Sequence, residues 1–348
     1  MTGSPCRIAI CEDSKAYTAA LKSFLEEDSE IEVVATFATG EDLIANLDHL
    51  DAGLITMDLE LPGISGTETI ETIMRERPLP ILVVSAHAGK QSQRTAEALA
   101  AGALEAIHKD SVGLGEPGDV WATALRSRIK RLASLQLKRR ARNGQRLRRP
   151  PPRRPELERP ARAIAIGAST GGPPALQRVL SEIPADFPTP IMVVQHIAVG
   201  FGEGLVEWLD RSVPAPVRLA GEGNAATPGI WFAPDDAHLV VESSMTFSLD
   251  RETKCGAHMP AVDMLFKSLA AAAGDESIGV VLTGMGADGA DGVVAIGEAG
   301  GLTIAQDEAT SAVYGMPRVA REAGADLVLS LDEIGHALHT LKSAGVRG

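Results

Sequence analysis

Short apolar runs alternate with amphipathic stretches along the first third of the chain. Residues 7–11, 31–35, 53–57, 80–85 and 104–108 are each short, apolar and bounded by polar or turn residues, which predicts buried strands. Residues 16–27, 41–49, 66–77, 91–101 and 119–132 space their apolar positions as helices do. Strict alternation of this kind implies a parallel sheet covered by helices on both faces. The pattern returns further on, with strands at 163–166, 191–195 and 278–282, a helix through residue 180 and another running to residue 298. The expected class is α/β, with two doubly wound parallel-sheet domains, the first flavodoxin-like and the second Rossmann-like.

Charge divides the chain at the same place. Residues 1–125 carry a net −13, residues 126–162 carry +13 and residues 163–348 carry −13. The basic stretch contains Arg148-Arg149-Pro150-Pro151-Pro152-Arg153-Arg154-Pro155, where proline stiffness and like-charge repulsion favour an extended linker. The expected division is therefore a first domain at 5–132, a basic Pro/Arg-rich linker at 133–161 and a second domain at 162–348. Few aromatics (3%) are available for base stacking and two acidic domains would repel phosphate, so no nucleic-acid partner is expected. No apolar run approaches the roughly 18 residues of a membrane span, and the start has no basic region followed by an apolar one. The expectation is a cytoplasmic protein without membrane insertion. Cys6, Cys11 and Cys255 form no Cys-x-x-Cys pair, which supports neither a disulfide framework nor a zinc site.

In doubly wound sheets, polar chemistry collects beyond the carboxyl ends of the strands. In the first domain those ends carry Glu12, Asp13, Asp58, Ser85 and Lys109. Three carboxylates together bind a hard cation such as Mg2+ and let a phosphate approach a carboxylate nucleophile. Lys109 and Ser85 can hold phosphoryl oxygens.

In the second domain the first strand runs into Gly167-Ala168-Ser169-Thr170-Gly171-Gly172, a Gly-x-Ser-x-Gly turn opening a helix. From the turn alone, a nucleophilic serine and a nucleotide-phosphate site are equal readings. The next strand delivers His196 at the same sheet edge, and residues 278–282 end in Thr283-Gly-Met-Gly-Ala-Asp288-Gly-Ala-Asp291. Serine, histidine and aspartate in convergence predict a nucleophile, its base and an orienting acid: Ser169, His196 and Asp288, with Asp291 as the alternative acid. His258 is read as a loop side chain near the site rather than in it.

Two resemblances follow from these motifs. Residues 5–132 resemble a response-regulator receiver domain in Cys11-Glu-Asp13-Ser, Met57-Asp58-Leu-Glu-Leu-Pro62-Gly63 and Val84-Ser85-Ala86. This resemblance implies Asp58 as phosphoacceptor, Glu12, Asp13 and Asp58 as Mg2+ ligands, and a chemosensory histidine kinase as phosphodonor. Ala106 and Asp110 stand where the family usually has an aromatic and a proline.

From about residue 163 to 336 the chain resembles the protein-glutamate methylesterases of bacterial chemotaxis. The resemblance is carried by Ile166-Gly-Ala-Ser-Thr-Gly-Gly172, Gln195-His196, Pro260-Ala-Val-Asp263-Met-Leu-Phe266, the 282–290 loop and Ser311-Ala-Val-Tyr-Gly-Met-Pro-Arg318. It implies a serine carboxyl-ester hydrolase acting on methyl-accepting chemoreceptors, with glutaminase activity and no cofactor in the esterase site. It suggests backbone amides near Thr170 and Met285 as oxyanion donors, and phosphorylation of the receiver as the control. Ile197-Ala198-Val199 and Met259 replace the usual Met-Pro-Pro and arginine beside the two histidines.

Overall fold

In a computed structural model, which describes residues 5–85, 90–111, 119–135, 157, 159–256 and 258–343, the chain divides into two compact units, Met1–Arg146 and Leu147–Gly348. The apolar runs of the first unit fold as β1 (Cys6–Cys11), β2 (Ile31–Phe37), β3 (Leu54–Met57), β4 (Ile81–Ser85) and β5 (Glu105–His108). They form one sheet in the order β2-β1-β3-β4-β5, every pair parallel. Between them lie α1 (Lys15–Glu26), α2 (Gly40–Ala45), α3 (Gly66–Glu76) and α4 (Lys90–Ala101), and α5 (Asp119–Ala133) follows β5. Strands β3, β4 and β5 are buried along their whole length, as a sheet covered on both faces requires.

Two boundaries differ from the sequence reading for local reasons. The register of β1 against β2 slips between Ile8 and Ala9, which lets β2 run on to Phe37. The 41–49 helix stops at Ala45, where Asn46 turns its side-chain amide onto the Asp42 carbonyl (2.8 Å), and Leu47–His49 continues as a tighter 3-10 turn.

The second unit opens with β6 (Pro160–Ala161), which pairs in parallel with the terminal β16 (Lys342–Ser343). Residues 160–161, read from sequence as the end of the linker, are thus part of this unit. Linker residues 136–156 and 158 lie outside the described residues. Next come β7 (Ala163–Ala168), α6 (Gly172–Leu180), β8 (Ile191–Gln195), α7 (Gly202–Ser212), β9 (Val217–Leu219) and β10 (Ile230–Phe232). A hairpin of β11 (His238–Val241) and β12 (Phe247–Asp250) leads to α8 (Val262–Ala273), β13 (Ser277–Val281) and α9 (Ala290–Glu298). The chain closes with β14 (Leu302–Gln306), α10 (Met316–Glu322), β15 (Leu327–Leu329) and α11 (Leu331–His339).

The main sheet has seven parallel strands in the order β15-β14-β13-β7-β8-β10-β9. Strand β7 sits between β13 and β8, so the chain winds outward in both directions from it. The crevice beyond β7 is the place where such a sheet binds its ligand. The sequence reading did not assign β9 to β12: β10 and β9 extend one side of the sheet, and β11 and β12 pair with each other as a separate hairpin. Their hairpin packs on the sheet through Phe247, whose ring meets Trp231 edge-on at 5.4 Å.

Candidate active site

The ends of β1, β3 and β5 bring Glu12, Asp58 and Lys109 together. Lys109 Nζ lies 2.7 Å from Glu12 Oε2 and 2.7 Å from Asp58 Oδ2, and both carboxylates are buried. The Asp58 Oδ1 accepts the Glu60 amide at 3.2 Å. Burial lifts the Glu12 carboxyl above its usual range, opposed by the Lys109 hydrogen bond and reinforced by the Asp58 charge. For Lys109, burial pushes the ammonium down, but hydrogen bonds to Asp58 and Glu12 outweigh it and hold it above the ordinary lysine range.

Glu12, Asp13 and Asp58 offer oxygens all within 4.8 Å of one another. A hard-oxygen set of this kind fits Mg2+. Asp13 is exposed and lines an open cleft of about 730 Å³ with Leu61, Pro62, Arg94 and Glu97. Ser85 is buried at the end of β4. Ala106 is buried within β5.

Two neighbours of this pocket were not singled out from sequence. The Tyr17 hydroxyl donates to the Lys109 carbonyl (3.2 Å), and the Lys109 ammonium lies 5.0 Å from the Tyr17 ring centre. An aromatic one turn beyond Asp13 was the only signal. Cys11 ends β1 beside Asp58, whose amide donates to its carbonyl. Its thiol donates to the Thr39 carbonyl at 3.6 Å, and burial, with the charges of Asp58 and Glu12, pushes it up to about 12.

In the second unit, three adjacent strands deliver the three predicted residues. Ala168 of β7 pairs with Gln195 of β8, so Ser169 and His196 each follow a paired position, and β13 leads to the loop carrying Asp288. The backbone ties them: His196 N donates to Ala168 O (2.9 Å) and Ser169 N to Thr283 O (3.0 Å). The Gln195 amide donates to the carbonyls of both Ser169 (2.9 Å) and His196 (2.8 Å).

His196 Nε2 lies 2.8 Å from Asp288 Oδ2. Its Nδ1 is buried and has no hydrogen-bond partner. Asp288 also accepts the amides of Val262 (2.8 Å) and Asp263 (2.9 Å) at the start of α8. Burial pushes its carboxyl up, but the bond from His196 and these two amides outweigh it, and it titrates below the usual carboxylate range. Asp291, the alternative acid, is 76% exposed and pairs with Lys267 at 3.2 Å instead.

His258 corrects the sequence reading. Its ring stacks on His196 with centres 4.0 Å apart and planes 9° from parallel, so it belongs to the site's wall. A second histidine in the 255–263 segment was the available signal.

Thr170 follows the serine on its own turn, and Met285 lies on the loop that follows β13. The Thr170 carbonyl accepts the Thr283 hydroxyl (3.0 Å), and that hydroxyl also accepts the Val313 amide (2.9 Å). At Gly284 a Cβ would stand 2.8 Å from Ser169 Cβ and 2.3 Å from Met316 Sδ. Glycine at 284 is what lets this loop pass so close to the serine. Gln306, fully buried at the end of β14, holds that loop by accepting the Thr283 amide at 2.6 Å.

Both units of the chain are similar to known proteins. The family model for CheB methylesterase matches residues 164–338, and that for the response regulator receiver domain matches residues 8–113. Protein-glutamate methylesterase/protein-glutamine glutaminase 3 of Anaeromyxobacter dehalogenans (strain 2CP-C) is 40% identical over 336 residues, 95% of this chain and 98% of its own. The protein of that name numbered 2 from Pseudomonas aeruginosa is 38% identical over 352 residues, 99% of this chain and 98% of its own. The crystal structure of the Thermotoga maritima CheB methylesterase catalytic domain is 38% identical, with a TM-score of 0.50, covering 51% of this chain and 97% of that one. With relatives aligned along nearly its whole length and a serine, a histidine and an aspartate gathered beyond three neighbouring strands, this chain belongs to the CheB methylesterase family, carrying a receiver domain ahead of its hydrolase domain.

Proposed function

We propose that this chain removes methyl esters from the side chains of modified glutamates on chemoreceptors, and amide groups from glutamines there, under control of phosphorylation at Asp58. The names of its relatives and the His196–Asp288 pair support this reading. The observation that carries it is the imidazole: Nε2 is committed to a carboxylate while Nδ1 is buried and unbonded, one strand away from Ser169.

A carboxylate at Nε2 fixes the proton on that nitrogen and leaves the Nδ1 lone pair as the base. His196 takes the Ser169 proton as Oγ attacks the ester carbonyl, and the backbone amides of Thr170 and Met285 receive the oxyanion. His196 then protonates the departing methoxide, and methanol leaves. Water, deprotonated by the same nitrogen, cleaves the glutamyl-serine ester and gives free glutamate. A glutamine substrate follows the same course with ammonia as the leaving group.

In the receiver, Asp58 takes a phosphoryl group from a chemosensory histidine kinase, and Ser85 and Lys109 hold its oxygens. Glu12, Asp13 and Asp58 would hold Mg2+, which supplies positive charge against the phosphate. Among the described residues, no helix is long and apolar enough to cross a membrane.

The test is methanol release from methyl-labelled receptor by wild type, Ser169→Ala and Asp58→Asn, with and without a small-molecule phosphodonor. We expect Ser169→Ala to lose about 1,000-fold or more in kcat. Phosphodonor should accelerate the wild type and leave Asp58→Asn unchanged. Release by Ser169→Ala at the wild-type rate would refute the mechanism.

A further inference from the structure

The hydrolase chemistry depends on where the Asp288 carboxylate points, and a second carboxylate sets that direction. The first amides of a helix have no partner inside it and need acceptors from elsewhere. Neither α8 nor α9 has a side-chain cap of its own: Ala261 precedes one and Gly289 the other. Each helix takes its acceptor from the start of its neighbour. Asp288, just ahead of α9, receives the first two amides of α8. Asp263, in the first turn of α8, receives on Oδ1 the amides of Gly289 (3.0 Å) and Gly292 (2.7 Å). This interlock needs two helix starts in direct contact. At Gly292 a Cβ would stand 2.4 Å from Phe266 Cβ.

We infer that Asp263 is a positioning residue for hydrolysis: its carboxylate clamps the peptide that follows Asp288, and its amide holds the second Asp288 oxygen, so that Oδ2 stays aimed at His196. The inference rests on the Ser169–His196–Asp288 reading. Burial lifts the Asp263 carboxyl above its usual range, the Gly292 amide opposing and the Asp288 charge adding. A charge that is costly to keep there is consistent with a role in the site rather than in folding alone.

Full-length Asp263→Ala and Asp263→Asn test this, because asparagine keeps an acceptor oxygen for both amides and alanine keeps none. For Asp263→Ala we expect kcat to fall about 10- to 100-fold with KM unchanged. The low-field proton resonance of the His196–Asp288 bond should be lost from the substrate-free protein. Asp263→Asn should keep that resonance and stay within about three-fold of wild type in kcat. It should also move the midpoint of the kcat/KM pH profile downward, since one fewer negative charge stabilises the imidazolium. The other titratable groups around the pair, His258, Cys255, Lys267 and Asp291, are unchanged in that variant.

The resonance is read without substrate, so an inactive wild type would count against the hydrolase reading alone. A folded Asp263→Ala with unchanged kcat and resonance overturns the inference, as does an Asp263→Asn as impaired as alanine. If the alanine variant does not fold, Asp263→Asn decides through its pH midpoint, and an unmoved midpoint overturns the inference.

Discussion

The two units place their chemistry alike and hold it differently. Both gather polar side chains beyond the carboxyl ends of parallel strands. In the receiver, charge holds charge: Lys109 bridges Glu12 and Asp58 directly, and removing one partner leaves the others facing each other. In the hydrolase, backbone holds charge: Asp288 is pinned by two helix amides, Asp263 on Oδ1 and Val262 on Oδ2, and Oδ2 also meets His196. The first arrangement can exchange partners when a phosphoryl group or a cation arrives. The second is set before substrate binds, as electrostatic preorganisation demands. One fold class thus serves a switch and a catalyst by changing what grips the carboxylate.

The largest expected effect comes from breaking the hydrolase side. Asp288→Asn still offers an oxygen to an α8 amide, so its melting temperature should stay near that of wild type. Its side-chain amide would face Nε2 and force the imidazole proton onto Nδ1. A wrong tautomer of this kind costs about 10⁴ in kcat. Single-turnover ester hydrolysis measures it, and a loss below ten-fold would contradict the backbone-held picture.

Breaking the receiver side should act on stability instead. Lys109→Ala strands two buried carboxylates, a change worth about 3–5 kcal/mol where neither can relax. The receiver's unfolding transition should fall at neutral pH, recover on acidification as the carboxylates protonate, and respond to added Mg2+ more than in wild type. Calorimetry across pH would show all three.

A smaller effect of opposite sign is expected at Glu12. A carboxyl raised by burial contributes stability that is present below the usual glutamate range and lost as pH rises through its raised value. Glu12→Gln should therefore unfold at a higher temperature than wild type near pH 7, with the gain vanishing at acid pH. A gain that persisted at low pH would assign the effect to packing. The smallest effect is Tyr17→Phe, which removes one hydrogen bond to the Lys109 carbonyl, about 0.5–1.5 kcal/mol, while leaving the ring near the ammonium. Tyr17→Leu removes both contacts and should lower the receiver's unfolding temperature further, which calorimetry measures.

The strands and their order of chemistry were legible because buried parallel strands write continuous apolar runs, and the residue after each run must stand at the sheet edge. That reasoning reached Asp58, Lys109, Ser169, His196 and Asp288. It did not reach Asp263, whose partners Gly289 and Gly292 lie on another helix, because periodicity describes one element at a time. His258 was misplaced for a similar reason: ring stacking depends on how a loop returns to the sheet, and nothing local in Cys255-Gly-Ala-His258 encodes that return. The choice of Nε2 over Nδ1 for Asp288 was equally invisible, since a sequence names a histidine without orienting it.

Cys11 bears on how long a signal lasts. An aspartyl phosphate is a mixed anhydride, and a neighbouring thiolate is among the nucleophiles able to cleave it. Its thiol is pushed up to about 12, chiefly by burial, and donates to the Thr39 carbonyl, so Cys11 stays a neutral, weakly nucleophilic thiol. A sulfur on the residue whose carbonyl bonds the Asp58 amide is thereby kept from acting as a nucleophile toward its neighbour.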